Sequence, residues 1–317
     1  MSKKIITVFG ATGNQGGSVI SALLASSVLS SQYTIRGVTR DPTKPAAQKL
    51  VAKGVQPIKA DVNDPASLQA AVHGVDAVFA VTNYWETLSK TTEITQGKNI
   101  VDACVAGGVK HLVWSSLPPA TELTQGVLSH IDHFDSKAEV SAYAEARKKE
   151  TGLWVTHFMP AYFMQQNIKG GVRPDPTTGV PTWNQPWSAT ETQIAAIDIV
   201  SDAGKYVAGA LALGAAADGQ FIQGVSQWVT PAEVVQTISD VTGTKTVFKE
   251  VPIDAWRESV PGPAFVQDEL AENMQLIRDY SYYGNDAKGK QADHDKYIEA
   301  VAGQKLTSLA EFVKANW

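Results

Sequence analysis

Three glycines near the N-terminus are spaced so that they could hold a phosphate group. Gly10, Gly13 and Gly16 follow the apolar run of residues 5–9 and precede a helix-like stretch. Because glycine lacks a Cβ atom, backbone N–H groups in such a turn can approach a pyrophosphate, whose charge the positive end of the helix stabilises. The order of strand, glycine turn and helix predicts a dinucleotide site. We expect its contacts to include Gly10, Thr12, Gly13, Asn14, Gln15 and Gly16.

The residues after the second predicted strand, 33–39, indicate which dinucleotide binds. An NAD-binding protein would place an acidic residue near this point for the ribose 2′-hydroxyl. This chain has Arg40 there, preceded by Thr39 and followed by Asp41. Since a guanidinium matches a phosphate, we predict NADP(H) in preference to NAD(H), with Arg40 and Thr39 at the 2′-phosphate. Asp41 keeps NAD(H) open as an alternative.

Further ligand contacts are expected where later strands end, because ligands bind at the carboxyl ends of parallel strands. Asp61 is a candidate for the adenine. The other predicted cofactor contacts are Val62, Thr82, Asn83, Lys137, Pro160 and Tyr162. Large apolar side chains in the same segments and in residues 170–192 could stack on a planar substrate. They are Tyr84, Trp85, Phe163, Met164, Trp183 and Trp187, of which the last two could instead pack the two lobes together.

A spacing of four residues marks the candidate catalytic helix. Hydride-transfer enzymes of the short-chain type use a helical Tyr-x-x-x-Lys pair, which places both side chains on one helix face. This chain has Lys137 in register and His133 at the position of the tyrosine. We therefore predict Lys137 as the residue that holds the cofactor, with His133, Ser115 or a water as proton donor.

Four motifs together resemble the NmrA-like family of the atypical short-chain dehydrogenase/reductase superfamily. They are residues 10–17, 39–42, 133–137 and 160–164, and the resemblance covers roughly residues 4–260. It implies a Rossmann domain that binds NADP(H), a small C-terminal lobe and a cleft between them. Some family members are redox-sensing regulators. Others reduce quinones, dyes or phenolic metabolites, and there the lysine matching Lys137 contacts the nicotinamide ribose or acts in catalysis.

Three functions remain open on this basis. The first is reduction of a small planar hydrophobic substrate of the quinone, imine or enone type. The second is redox-neutral acid–base catalysis in natural-product biosynthesis, such as a cyclisation, with Glu122 as the base and NADP(H) as a structural cofactor. The third is a non-catalytic NADP(H) sensor that binds a regulatory protein.

The alternation of predicted strands and helices in residues 1–160 predicts a Rossmann-type, doubly wound parallel sheet. The predicted strands are residues 5–9, 33–39, 55–59, 77–81, 111–115 and 154–158. The predicted helices are residues 18–26, 45–52, 65–72, 90–106 and 138–151. We expect residues 161–317 to form a smaller α+β lobe, with parts of about 190–230 returning to the sheet. Within it, residues 170–192 are predicted as a loop and 194–213 as a helix.

Composition excludes several other classes of protein. The net charge of −5 argues against direct nucleic-acid binding, which needs clustered cations. No apolar run reaches the ~20 residues of a membrane span. The single cysteine, Cys104, fits a reducing compartment, so we expect the protein in the cytoplasm and also in the nucleus. Its oligomeric state is left open between monomer and homodimer. The residues around His130 and Asp132 lack the supporting ligands of a metal site, so none is expected.

Overall fold

In the computed structural model, which describes residues 2–317 (for Glu150, the backbone only), thirteen strands form three sheets. The strands are β1 (Lys4–Val8), β2 (Tyr33–Thr39), β3 (Gln56–Lys59), β4 (Ala77–Ala80), β5 (His111–Ser115), β6 (Trp154–Pro160), β7 (Tyr162–Phe163), β8 (Val172–Pro174), β9 (Pro181–Gln185), β10 (Ile194–Ile197), β11 (Phe221–Gly224), β12 (Gln227–Val229) and β13 (Val247–Glu250).

The helices lie between these strands and after the last one. They are α1 (Asn14–Ala25), α2 (Ser27–Gln32), α3 (Pro45–Val51), α4 (Pro65–Val72), α5 (Lys90–Ala106), α6 (Ala120–Leu123), α7 (Asp132–Thr151), α8 (Ala203–Leu213), α9 (Pro231–Thr242), α10 (Ile253–Ser259), α11 (Ala264–Tyr280), α12 (Gln291–Glu299) and α13 (Leu309–Asn316). Among residues 2–317, no helix combines the length and the apolar character that a membrane crossing requires.

The large sheet is parallel throughout and has the order β3-β2-β1-β4-β5-β6-β11. This order confirms the predicted Rossmann-type fold. The chain runs outward from β1 through β2 to β3 and then crosses to β4 on the other side of β1. Ligands of such sheets bind in the crevice that this reversal opens at the carboxyl ends of the strands.

Capping residues explain where the helices of this sheet begin and end. The Asp64 side chain accepts hydrogen bonds from the N–H groups of Ala66 and Ser67, which starts α4. Helix α7 ends at Gly152, whose φ of 70° is left-handed and suits glycine. It begins at Asp132, six residues before the predicted start at 138, so that His133 and Lys137 lie in its first two turns.

The predicted helix over residues 194–213 is wrong in its first part. Residues 194–197 form β10, which pairs with β12 and β7 in a small sheet, and helix α8 begins only at Ala203. The Asp198 carboxylate accepts hydrogen bonds from the N–H groups of Val200 and Ser201. This turn separates β10 from α8. The boundary is hard to predict because both segments are rich in alanine, which favours helices.

The predicted loop over residues 170–192 contains two strands, β8 and β9. Strand β9 pairs with β13, which lies more than sixty residues later in the chain, through registers such as Val247 with Thr182. Local composition rich in proline and glycine shows turns but does not show such a distant strand partner. The third sheet, β8-β9-β13, could therefore not be predicted from the local sequence.

Two later segments pack on the large sheet. Strand β11 pairs with β6 as the outermost strand, and helix α8 packs on α1. A Cβ atom added to Gly204 of α8 would lie 2.1 Å from the carbonyl oxygen of Ser18, so only glycine permits this close approach. Helix α8 thus supports helix α1, which follows the glycine turn.

Candidate active site

The glycine turn has a backbone that only glycine can form. Gly10 has a φ of 61°, and a Cβ atom on Gly16 would lie 2.3 Å from the carbonyl oxygen of Gly10. Helix α1 follows without a side-chain cap at Gly13 and without an acidic residue in its first turn. Its first N–H groups and its positive end are thus left for an anion, which fits the pyrophosphate of a dinucleotide.

A groove of about 310 Å³ extends from this turn across the ends of β1, β2 and β3. Several predicted cofactor contacts line it: Gly10, Thr12, Thr39, Arg40, Asp61, Val62, Thr82 and Asn83. Arg40 forms an exposed ion pair with Glu86, which lies on the opposite wall. The Asp41 carboxylate accepts two hydrogen bonds from Thr43, which lower its pKa and tie it into a local turn.

A second cavity, of about 440 Å³, adjoins the groove and shares Thr82 and Asn83 with it. Its wall combines residues at the ends of β5 and β6 of the large sheet with Leu270 and Asn273 of α11. The predicted site residues along its wall are Gln15, Thr82, Asn83, Tyr84, Trp85, Ser115, His133, Lys137, Pro160, Tyr162 and Phe163. The cavity therefore brings together the predicted catalytic residues Lys137, His133 and Ser115 and half of the predicted substrate contacts.

A buried carboxylate holds Lys137 at the cavity edge. Lys137 Nζ donates a hydrogen bond of 2.5 Å to Oε1 of Glu93, a residue on α5 that is only 1% exposed. The Thr82 hydroxyl donates to the same oxygen at 2.7 Å, and the Ser136 hydroxyl donates to Oε2. This network balances the lysine charge and fixes its side chain. The ammonium keeps further N–H donors for a ligand.

A second buried carboxylate holds His133. Oε1 of Glu269 accepts hydrogen bonds from His133 N at 2.9 Å and from His133 Nδ1 at 2.6 Å. Because Nδ1 faces a carboxylate, the network assigns the Nδ1 proton, and Nε2 is the ring nitrogen left for the cavity. The Tyr84 hydroxyl donates to Oε2 at 2.7 Å. Burial, and next this hydrogen bond, raise the pKa of Tyr84, so the phenol stays protonated.

Ser115 lies at the end of β5 on the cavity wall. Its hydroxyl donates a hydrogen bond of 2.7 Å to Oε1 of Gln15, the second residue of α1. The contact joins the predicted proton-donor region to the glycine turn.

Some predicted site residues lie elsewhere. Met164, Trp183 and Trp187 are fully buried in the core and do not line the cavity. The Trp187 indole donates to the carbonyl oxygen of Met274, and the two tryptophan rings pack edge to face at 5.7 Å. The prediction that Met164, Trp183 and Trp187 contact the substrate is therefore wrong, and these side chains pack in the core. Glu122 is exposed on the short helix α6 and does not line the cavity either.

Three residues that line the cavity or support its side chains were not predicted from the sequence. Glu93 supports Lys137, Glu269 supports His133, and Asn273 lies one helical turn after Glu269 on α11. Glu269 is 136 residues from His133, so no local motif joins them. The sequence offered one signal for these two residues of α11. Glu269 and Asn273 are four residues apart, so their polar side chains lie on one face of the helix.

Among residues 2–317, no three His, Cys, Asp or Glu side chains cluster in a way that could hold a metal ion. His130 and His133 are separately paired, with Glu272 and Glu269 respectively.

Known proteins share the sequence pattern or the fold of this chain. The chain matches the model of the NmrA-like family over residues 2–315. It is 32% identical to the NmrA-like family domain-containing oxidoreductase ptmS of Penicillium ochrochloron over 99% of this chain and 96% of that protein.

Two solved structures show the shared fold. The first is NmrA, a negative transcriptional regulator, in complex with NADP, with a TM-score of 0.81 and 18% identity over 100% of this chain and 96% of that one. The second is the Escherichia coli NADPH-dependent quinone oxidoreductase QOR2 complexed with NADPH. Its TM-score is 0.70, with 21% identity over 98% of this chain and 99% of that one.

Proposed function

This chain belongs to the NmrA-like family, and on that premise we propose that it is an oxidoreductase that uses NADP(H) to reduce a small planar hydrophobic substrate of the quinone, imine or enone type. The observation that carries the proposal is the pairing of His133 with buried Glu269 at a cavity that also contains Lys137. A held proton donor beside a nucleotide groove is what a reductase needs. The name of the Penicillium relative, an oxidoreductase, agrees with it.

The residues of the groove fit an NADP(H) cofactor. The first turn of α1 would hold the pyrophosphate, and Arg40 with Thr39 would hold the 2′-phosphate. Asp61 would face the adenine, and Lys137 would donate hydrogen bonds to the nicotinamide ribose. When bound, the reduced cofactor supplies a hydride.

The chain's own residues supply the proton and the position of the substrate. His133 would donate a proton from Nε2 to the oxygen or nitrogen of the substrate. Glu269 would balance the charge of the protonated ring and keep Nε2 directed at the cavity. Trp85, Tyr162 and Phe163 offer aromatic faces for a planar ring.

The test is NADPH oxidation by the wild-type protein with a panel of quinones, imines and enones. We expect Glu269→Gln to lower kcat about 100-fold, because a general acid contributes at least that much and the neutral amide cannot balance the imidazolium. The dissociation constant for NADPH should not change. Glu272→Gln is the matched control, since Glu272 binds His130 in the same way outside the cavity.

Wild-type protein that binds NADPH but oxidises it with no member of the panel would contradict the proposal. Substrate conversion without NADPH consumption would then indicate redox-neutral catalysis. Retention by a partner protein that depends on NADP(H), without any conversion, would indicate a sensor. Equal kcat values for Glu269→Gln and Glu272→Gln would contradict the assignment of His133 as the proton donor.

A further inference from the structure

Among residues 2–317, five side chains on the cavity wall carry a hydroxyl group, and four of these hydroxyls already donate a hydrogen bond within the protein. Thr82 donates to Glu93, Tyr84 to Glu269, Ser115 to Gln15 and Tyr282 to the carbonyl oxygen of Pro160, at distances of 2.7–3.0 Å. The fifth hydroxyl belongs to Tyr162, and no residue in the described part of the chain is its hydrogen-bond partner.

The Tyr162 hydroxyl lies in a buried side chain but is open to the cavity. The residue is only 5% exposed. Its oxygen is nevertheless not among the unpaired side-chain atoms of residues 2–317 that are closed off from the surface, a group to which the Tyr297 hydroxyl belongs. Because Tyr162 lines the cavity, its accessible surface faces that space. The available partner for this hydroxyl is therefore water or a ligand in the cavity.

The Tyr162 ring is held in place by the fold. Tyr162 is the first residue of β7, which pairs in parallel with β10 and sets Tyr162 in register with Ala196. The ring packs edge to face on fully buried Trp187, with the ring centroids 5.6 Å apart. A hydroxyl on a ring that is fixed in this way meets a ligand at a defined position.

We propose that the Tyr162 hydroxyl donates a hydrogen bond to an acceptor atom of the substrate, and that Tyr162 thereby selects and orients the substrate in the cavity. This inference rests on the proposed function, in which His133 supplies the proton. It adds a second polar contact, which comes from the end of β6 and not from helix α7.

The role of Tyr162 differs from that of His133 because the phenol keeps its proton. Burial raises the pKa of Tyr162, so the phenolate is disfavoured. The hydroxyl is therefore a lasting hydrogen-bond donor at neutral pH. Glu269, by contrast, balances the charge of a protonated His133 ring, as a proton donor requires.

A free hydroxyl in a mostly apolar wall makes the cavity discriminate between ligands of the same shape. A carbonyl or imine ligand offers an acceptor for the Tyr162 hydroxyl. A hydrocarbon would displace water from the hydroxyl and leave it unpaired, which is unfavourable. The hydroxyl thus rejects ligands that fit the cavity but carry no acceptor.

The experiment compares two flat bicyclic probes: chromone, which is an enone, and naphthalene, which has no acceptor atom. Calorimetry measures their binding to the full chain loaded with NADP⁺, so that no turnover is needed. In Tyr162→Phe, which removes only the hydroxyl, we expect the Kd of chromone to rise about 10-fold. The Kd of naphthalene should stay the same or fall, because the variant leaves no hydroxyl unpaired. The Kd of NADP⁺ should change less than about 2-fold.

Tyr297→Phe is the matched control. The Tyr297 hydroxyl is also buried and without a partner among the described residues, but it is closed off from the surface and does not line the cavity. This variant should bind both probes as the wild type does.

An unchanged chromone Kd in Tyr162→Phe would overturn the inference. An equal loss for naphthalene would overturn it in favour of a packing role for the ring, and an equal loss for NADP⁺ in favour of a contact with the cofactor. Wild-type protein that binds neither probe would overturn it too.

The two proposals fail in different ways. Chromone binding that depends on the Tyr162 hydroxyl, without NADPH oxidation by the wild-type protein, would contradict the reductase and not the hydroxyl contact. NADPH oxidation with equal chromone affinity in wild type and Tyr162→Phe would contradict the hydroxyl contact and not the reductase.

Discussion

Glu86 is the partner of the Arg40 guanidinium, and the proposed 2′-phosphate would have to replace it. In the structure Arg40 pairs with Glu86 across the groove, and the arginine side chain is 68% exposed. An exposed ion pair contributes little free energy because water and salt screen it. A phosphate offers a doubly charged, bidentate partner in the same groove. We therefore expect the exchange of Glu86 for the 2′-phosphate of the proposed cofactor to be favourable.

We predict that Arg40→Ala weakens NADP⁺ binding about 10-fold or more, because a hydrogen bond to a charged group is lost. NAD⁺ lacks the 2′-phosphate, so its Kd should change less than about 2-fold. Titration calorimetry with both dinucleotides measures the difference.

Arg36→Ala is the matched control, since Arg36 lies on β2, directly before the segment that carries Arg40, and its guanidinium donates to the His73 carbonyl instead. It should leave both affinities unchanged. If Arg40→Ala weakened both dinucleotides equally, or neither, Arg40 would not be the 2′-phosphate ligand.

The junction of β1, the glycine turn and α1 depends on backbone contacts that a side chain would block. Gly16 and Gly17 are neighbours in the first turns of α1, but their surroundings differ. A Cβ on Gly16 would lie 2.3 Å from the Gly10 carbonyl oxygen, whereas a Cβ on Gly17 would lie 3.7 Å from the nearest oxygen, that of Ala11. The first distance demands movement of the backbone and the second is ordinary contact.

Gly16→Ala should therefore destabilise the protein by about 1–3 kcal/mol and weaken NADP⁺ binding, because the helix must move away from the turn. Gly17→Ala should be neutral or stabilise by up to about 1 kcal/mol, since alanine is the better helix former. Urea unfolding and NADP⁺ calorimetry on both variants test the pair. Equal effects of the two substitutions would contradict this account of the turn.

Helix α7 shows how one element serves two environments. Its first turn presents His133 to the cavity, and Lys137, one turn later, reaches Glu93 of the neighbouring helix α5. Because the helix starts at Asp132, both side chains are held by regular backbone and do not depend on a loop. This rigidity suits groups that must meet a ligand at a defined angle.

A histidine inside the large sheet makes the free energy of unfolding of the whole molecule depend on pH. His111 Nε2 lies 2.8 Å from the Thr156 hydroxyl, across the β5–β6 pair. Burial lowers the pKa of His111 from 6.5 to about 4. The folded protein therefore holds this ring neutral at pH values where the unfolded chain protonates it.

Between about pH 6.5 and pH 4 the unfolded state binds the additional proton, so stability is lost as the pH falls through this window. The loss from His111 should reach roughly 3 kcal/mol at the acidic end. His111→Gln should flatten this part of the pH profile of the free energy of unfolding. His73→Gln, at an exposed position, should leave the profile as in the wild type.

An unfolding profile of His111→Gln that falls as steeply as that of the wild type would contradict this assignment. His157 is also buried, and burial lowers its pKa, so part of the acid sensitivity should persist in the variant.

The sequence by itself determined the strands within residues 1–160 and the position of the glycine turn between β1 and α1. Periodicity and capping are local properties, so the strands through β6 were predicted within one or two residues. The pairing of His133 and Lys137 on one helix face follows from their spacing for the same reason. The position of Arg40 directly after β2 was likewise predicted from the sequence.

Tertiary structure alone decided which groups these residues meet. Glu269 reaches His133 only because α11 lies beside the first turn of α7, and the contact joins positions 136 residues apart. The burial of Trp183 and Trp187, and the strand at residues 194–197, likewise depend on partners far along the chain. A sequence pattern describes the element that carries a residue. The chemistry of the site depends on what that element faces, which only packing determines.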